Sequence, residues 1–350
     1  MMMLNVVRSD LWIDGAFDAR LAREPNIVLD MFAARGDADA TWRSLARAHV
    51  YHVSVAKDEL PRQWFVNAQL LARCPYLLCV SAGGAGFDTI DVAACTAADV
   101  LVVNQAGGNA VSVAEHTFGL ILGVSRRMRE GDARMRCETG LTREALMGHE
   151  ISGKTLGLVG LGEVGTRVAS LARAFGMEVL ASDPLVSNEE ISRRGARAVH
   201  FDELLSRSDF VSLHCPRNAD TLDLMNTNAF AQMKRGAIFI TTARGGIHNE
   251  AALAEALRSG HLSGAGVDVW DTEPPPLHHP LLSMHNVFAS FHIAGVTHEA
   301  RRNIAAMSAQ QIVDVLQGAR PPRLINPQAW EANQARRALV LQADVSLHTS

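Results

Sequence analysis

His292 stands at the end of an apolar run, "FASFHIAGV" over residues 288–296, and an imidazole that changes charge near neutral pH is a natural proton carrier. Two more polar residues end runs of the same kind, Arg244 in "TTARGG" and Glu273 in "DVWDTEPPP". A guanidinium suits planar, two-point recognition of a carboxylate. Any one histidine among fourteen is more often a hydrogen-bonded core or surface residue than a catalyst. Its role therefore depends on what the chain brings beside it.

A second group of residues could hold a nucleotide. In "GLVGLGEVG", Gly160, Gly162 and Gly165 have the G-x-G-x-x-G spacing, with Glu163 and Val164 between the last two, after a strand candidate and at the mouth of a helix. Gly160 permits a tight turn, Gly162 leaves space for a pyrophosphate, and Gly165 lets the helix pack on the sheet. Amides at the helix start then face the phosphates. Glycines also occur in plain strand-to-helix turns, so a further signal is needed. It comes from "VLASDP": Asp183, eighteen residues beyond Gly165, is placed to bind ribose hydroxyls and to repel a 2′-phosphate, which favours NAD over NADP. Arg193 and Arg194 could blunt that preference, but the expectation is a solvated helix face.

The elements that must position these residues are short β-branched runs alternating with helical patterns. "TLGLVG", "MEVLASD", "DFVSLH", "GAIFITTA" and "GAGVDVW" read as strands, and "LNVVRS", "NIVLDMF", "VYHVSV", "YLLCVS" and "DVLVVN" repeat the rhythm earlier in the chain. Such alternation predicts parallel sheets with helices on both faces. Ligands bind outside the carboxyl ends of such strands, so the polar residues can converge although they are far apart in sequence. A long buried helix is predicted over 111–128, and another over 299–318, stopped by Gly318 and the Pro321-Pro322 pair. No structure is predicted for the alanine-, arginine- and glutamine-rich tail after Trp330.

In "GHEISGKTLGLVGLGEVG", "LHCP", "MKRGAIFITTARGGIHNEAALAEAL", "GAGVDVWDTEPPP" and "HIAGVTHEA", the chain closely resembles the D-2-hydroxyacid dehydrogenase family. "GAGFDTID" and "GGNAVSVAEHT" extend the resemblance upstream, so that it covers about residues 75–325. It implies two Rossmann-like α/β domains, each a doubly wound parallel sheet. A nucleotide-binding domain at 107–297 is inserted in a flavodoxin-like substrate domain made of 1–106 and 298–350, with the active site in the cleft. The activity implied is hydride transfer between NAD and a D-2-hydroxy acid or its 2-keto acid. By resemblance His292 is the acid–base, Glu273 the carboxylate that orients it, and Arg244 the clamp on the substrate carboxylate. Backbone amides of Ala85 and Gly86 meet that same carboxylate. Asp268 lies near the nicotinamide carboxamide, while Cys215, Pro216, Thr242 and Ala243 line the cofactor. A homodimer is the implied assembly.

Three departures from the family pattern bear on this expectation. Phe291 stands where the family has proline directly before the histidine, Glu163 occupies a loop position often basic or small, and residues 131–147 follow no family wording, though such an arm could pair subunits. Two other readings use the same fold. An NADH-sensing corepressor can retain the triad, and would be marked by peptide binding without useful turnover. A formate- or phosphite-type dehydrogenase takes hydride from a small oxyanion, and the formate type pairs its histidine with glutamine, where this chain has Glu273.

Composition narrows the partners. With 350 residues, 48% hydrophobic and 20% charged, the chain fits a globular protein of two domains. A net charge of -4 gives no footprint for nucleic acid or anionic lipid, so a small 2-hydroxy or 2-keto acid is the expected partner. Arg8 and Asp10 interrupt any signal-peptide core, and no stretch has the length of a membrane span, which predicts a cytoplasmic protein. Cys74, Cys79, Cys95, Cys137 and Cys215 lack zinc-type or CxxC spacing, so buried free thiols and no metal are expected.

Overall fold

The β-branched runs form strands, the stretches between them form helices, and each half of the chain closes on its own parallel sheet. The computed structural model describes residues 3–347. Two compact units result: one contains the chain up to Asn109 and again from His298, the other is Ala110–Thr297.

The first unit has strands β1 (Leu4–Ser9), β2 (Ile27–Phe32), β3 (Val50–Val53), β4 (Cys79–Ala82) and β5 (Leu101–Val103). They pair in parallel in the order β2-β1-β3-β4-β5, the flavodoxin-like arrangement. Alternate residues feed two cores. Val6, Val50, Cys79 and Leu101 pack against the helix His298–Gln317, while Val7, Tyr51, Val80 and Val102 join Trp64 and Leu70 on the other face. Near-continuous apolar strands are what a sheet covered on both faces requires.

The second unit has β6 (Thr155–Val159), β7 (Glu178–Ser182), β8 (Arg197–Ala198), β9 (Phe210–Leu213), β10 (Ile238–Thr241), β11 (Gly264–Val267) and β12 (Val287–Ala289). All neighbours are parallel, in the order β12-β11-β10-β9-β6-β7-β8, so the chain reverses its direction of growth at β6 and β9. Leu156, Leu158 and Ile240 face the helices Ala110–Ser125 and Glu163–Ala174; Val211, Leu213 and Phe239 face the opposite layer. Among the described residues no helix is long and apolar enough to cross a membrane.

Two local expectations need correction, and two elements had no expectation to meet. The helix predicted to reach residue 128 stops at Ser125, because Arg127 takes a left-handed φ of 52° before a separate helix, Met128–Cys137, begins. The two-residue strand β8 is too short to leave a sequence pattern, and the tail forms the helix Trp330–Leu347. Cys137 is exposed, unlike Cys74, Cys79 and Cys95, whose thiols burial pushes well above their usual range.

Three histidines are buried as neutral rings. Burial lowers His52 to about 3, with the Arg8 charge adding to it. Burial alone lowers His214 to about 3, and burial outweighs Asp271 in lowering His248 to about 4. The unfolded chain protonates these rings below the ordinary histidine value of about 6.5, whereas the folded chain does not. Their stabilisation is thus complete above that value and is lost as pH falls toward 3 to 4. Between pH 7 and pH 5 each ring should remove about 2 kcal/mol, two of the three from the second unit. Calorimetric unfolding should show a markedly lower Tm at pH 5, and equal Tm values at the two pH settings would contradict neutral burial.

Candidate active site

Every candidate residue of the second unit lies just past the carboxyl end of a strand, so one sheet edge gathers loops that the sequence spreads over more than a hundred positions. After β6, Gly160 turns with a φ of 93°, and Gly162 precedes the helix Glu163–Ala174. A side chain at Gly165 would put its Cβ 2.3 Å from the Gly160 carbonyl oxygen, so only glycine lets the helix approach the turn. Nothing lies within 4 Å of where a Gly162 Cβ would be. A tight cradle with open space at its centre, closed by helix amides, fits a pyrophosphate.

Asp183 does more than end β7. Its carboxylate accepts the Leu161 amide at 2.8 Å and the Leu185 amide at 2.9 Å, fixing the glycine loop against the second strand while leaving oxygen lone pairs for a ribose. Arg194 donates to the Leu161 carbonyl at 2.5 Å and to Glu190 at 2.7 Å, so it belongs to the loop's support and not to a solvated face. Arg193 is on that face, largely exposed and paired with Glu190. Glu163 turns outward to Arg167 at 3.2 Å, which removes its carboxylate from the phosphate position, and Val164 packs on the core. Cys215 and Pro216 follow β9. The Cys215 backbone nitrogen borders Gly160, and burial pushes its thiol up to about 11. Thr242 and Ala243 are buried after β10, the Thr242 hydroxyl lying 3.2 Å from that of Thr117.

Beyond β11 and β12 His292 and Glu273 meet, and Arg244, after β10, is near enough for its charge to act on Glu273. His292 Nδ1 lies 2.8 Å from Glu273 Oε2, and Glu273 Oε1 accepts the Trp270 amide at 3.1 Å. Burial alone would raise the Glu273 carboxyl, but the His292 hydrogen bond and charge, the Trp270 amide and the Arg244 charge together hold it below its ordinary value. Glu273 is therefore ionised at neutral pH and can only accept. The ring proton on Nδ1 points at Glu273, which leaves Nε2 as the nitrogen that can exchange a proton with another molecule. Arg244 donates to its neighbour's carbonyl, Ala243 O, at 2.6 Å.

Asp268 is fully buried and has work of its own. Oδ1 accepts the Ser290 hydroxyl at 2.6 Å and the Ile293 amide at 3.0 Å, Oδ2 accepts the Ala294 amide at 3.0 Å, and its carbonyl takes the His292 amide at 2.7 Å. His116 Nε2 lies 2.9 Å from the same hydroxyl and 3.5 Å from Asp268 Oδ1. These bonds hold His292 at a φ of 47°, a left-handed conformation that a non-glycine residue keeps only when its surroundings dictate it. His116, Trp270 and Ser290 had no place in the sequence reading. Ala85 and Gly86 follow β4 in the first unit, where the Ala85 carbonyl accepts the Asn104 amide at 2.7 Å.

A glycine cradle at the β6 turn, a carboxylate ending β7 and a histidine–glutamate pair past β11 and β12, all at one sheet edge, define a dinucleotide-binding α/β protein. Residues 118–294 match the family model described as D-isomer specific 2-hydroxyacid dehydrogenase, NAD binding domain. The chain belongs to that family, and its second unit is the NAD-binding domain.

The D-3-phosphoglycerate dehydrogenase of Archaeoglobus fulgidus is 40% identical over 253 residues, covering 72% of this chain and 48% of the relative. That of Mycobacterium leprae is 40% identical over 269 residues, 77% of this chain and 51% of the relative. The chain thus spans about half the length of these curated relatives. Among solved structures, the TT0316 protein from Thermus thermophilus superposes with a TM-score of 0.78 at 31% identity, covering 92% of this chain and 100% of that one. A glyoxylate reductase from Paecilomyes thermophila reaches 0.83 at 25% identity, covering 94% and 100%. The D-lactate dehydrogenase of Aquifex aeolicus, complexed with NAD and lactic acid, reaches 0.79 at 26% identity, covering 92% and 99%.

Proposed function

We propose that the protein is an NAD-dependent dehydrogenase that interconverts a D-2-hydroxy acid and its 2-keto acid. The observation that carries this reading is the 2.8 Å contact between His292 Nδ1 and the ionised Glu273, at the edge of the sheet that bears the glycine cradle. Gly160, Gly162, Gly165 and Asp183 would hold NAD, with Val164, Cys215, Pro216, Thr242 and Ala243 beside it, and NAD when bound supplies or accepts the hydride.

The remaining chemistry is assigned to side chains. During reduction His292 Nε2 gives its proton to the keto oxygen, and the Glu273 carboxylate stabilises the doubly protonated ring beforehand and keeps its orientation. During oxidation Nε2 takes the hydroxyl proton. Arg244 binds the substrate carboxylate through its planar fork and draws charge from the keto oxygen. Ala85 and Gly86 of the first unit are assigned, on the family resemblance, to substrate binding through their amides, and residues 52–60 and 81–88 of that unit to choosing the substrate side chain.

Loss of NADH absorbance against a panel of 2-keto acids, with NADPH in parallel, tests the reading. Turnover of at least one acid, faster with NADH, is expected. Tight NADH binding without turnover across the panel would replace the enzyme by a nucleotide sensor.

A further inference from the structure

Trp270 is hydrogen-bonded to the segments that carry Glu273 and His292 and lies against the one that carries Arg244. Its amide donates to Glu273 Oε1 at 3.1 Å, and its indole Nε1 donates to the Ser290 carbonyl at 2.9 Å, two residues before His292. Its own carbonyl lies against the residue after Arg244: a Cβ on Gly245 would come within 2.0 Å of the Trp270 oxygen. The indole is buried, so its N–H needs a partner inside the protein and the Ser290 carbonyl is that partner.

A second layer holds this residue in turn. Glu250, at the start of the helix Glu250–Arg258, accepts the Asp271 amide on Oε1 at 2.8 Å and meets His279 Nε2 with Oε2 at 2.9 Å. The Leu281 amide donates to His279 Nδ1 at 3.3 Å, so the ring proton sits on Nε2 and is given to Glu250. The imidazole edge packs on the Trp270 indole, with centroids 5.3 Å apart and planes at 78°. Asp271 closes the layer by accepting the Gly246 amide at 2.6 Å.

We propose that Trp270 is a positioning residue for the acid–base pair, its indole N–H fixing the His292 turn against the Glu273 turn, with the Glu250–His279 pair holding the indole in place. The proposal rests on the dehydrogenase reading and sharpens it. Phe291 carries an ordinary rotatable backbone where the family has proline, and the indole hydrogen bond supplies rigidity one residue earlier. Without it Glu273 and His292 would each keep their own turns, yet lose the link that sets the distance between them.

Trp270→Phe keeps an aromatic ring while removing the donor together with part of the indole's buried volume. In that variant kcat for keto-acid reduction should fall by about ten- to a hundredfold while KM and NADH affinity stay near the wild-type values, the pattern of a misplaced reacting group. In the wild type without substrate, proton NMR should show a downfield His292 Nδ1 resonance protected by Glu273, and Trp270→Phe should broaden it into exchange with water. His279→Ala should give the same split more weakly, and His279→Gln, which restores a donor to Glu250, should recover most of it. This pair decides the matter if Trp270→Phe does not fold. Unchanged kcat, or a fall in kcat with the resonance intact, would overturn the proposal. A wild type without turnover whose resonance still depends on Trp270 would retain the positioning role and remove the dehydrogenase reading.

Discussion

His292→Asn should lower keto-acid turnover by about 10²–10⁴-fold, the usual contribution of a positioned acid or base, while NADH binding remains nearly unchanged. Asparagine is the informative replacement because His292 sits at a φ of 47°, and asparagine enters the left-handed region more readily than alanine. The backbone bonds from the 292–294 amides to Asp268 therefore survive, and Glu273 retains the Trp270 amide. What disappears is the imidazole whose Nδ1 faces Glu273 and whose Nε2 is left to exchange a proton. NADH fluorescence titration and steady-state kinetics separate the two effects. Wild-type kcat in the asparagine variant would remove His292 from the chemistry, whereas a parallel loss of NADH binding would mark the residue as part of the cofactor site. His292→Ala should show the same kinetic loss with an additional drop in Tm from the strained backbone.

The parts of this site that were legible in sequence are those whose physical demands are local. The glycine cradle depends on a sharp turn and a close helix approach within six residues, so the spacing of Gly160, Gly162 and Gly165 marks it once Asp183 is read with it. Asp183 is tied to the loop by the length of one strand–helix–strand passage. The strands were legible because a sheet buried on both faces needs unbroken apolar runs, whereas β8, with two residues at the sheet edge, needs none.

The contacts that position His292 follow a different rule. His116 and Ser290 are 174 residues apart and meet only because the helix Ala110–Ser125 packs over β10 and β11. Trp270 reads as one more apolar residue until its indole nitrogen is seen on the Ser290 carbonyl. Arg194 looks like half of a solvated Arg-Arg pair, yet it reaches 33 residues back to the glycine loop. Side-chain partners of this kind are set by helix docking, which periodicity and spacing do not record.

Asp268 is where that distinction has its largest expected consequence. Family resemblance directs its carboxylate to the cofactor, but the structure spends both oxygens on the turn that presents His292. Asp268→Ala would leave the Ile293 and Ala294 amides and the Ser290 hydroxyl without their buried acceptor, at about 1–3 kcal/mol for each group left unsatisfied. The second unit should lose about 3–5 kcal/mol, a large share of the stability of an ordinary domain. Asp268→Asn is the finer test. Its carboxamide keeps one accepting oxygen but turns a donating NH₂ toward a donor, so it should fall between wild type and alanine in Tm. Both variants should lose more kcat than the change in folded fraction explains, because the Asp268 carboxylate accepts two amides and a hydroxyl from the turn that carries His292. If Asp268→Asn retains wild-type Tm and kcat but loses NADH affinity, the carboxylate acts on the cofactor; if Tm and kcat fall together with NADH affinity preserved, it acts on the turn.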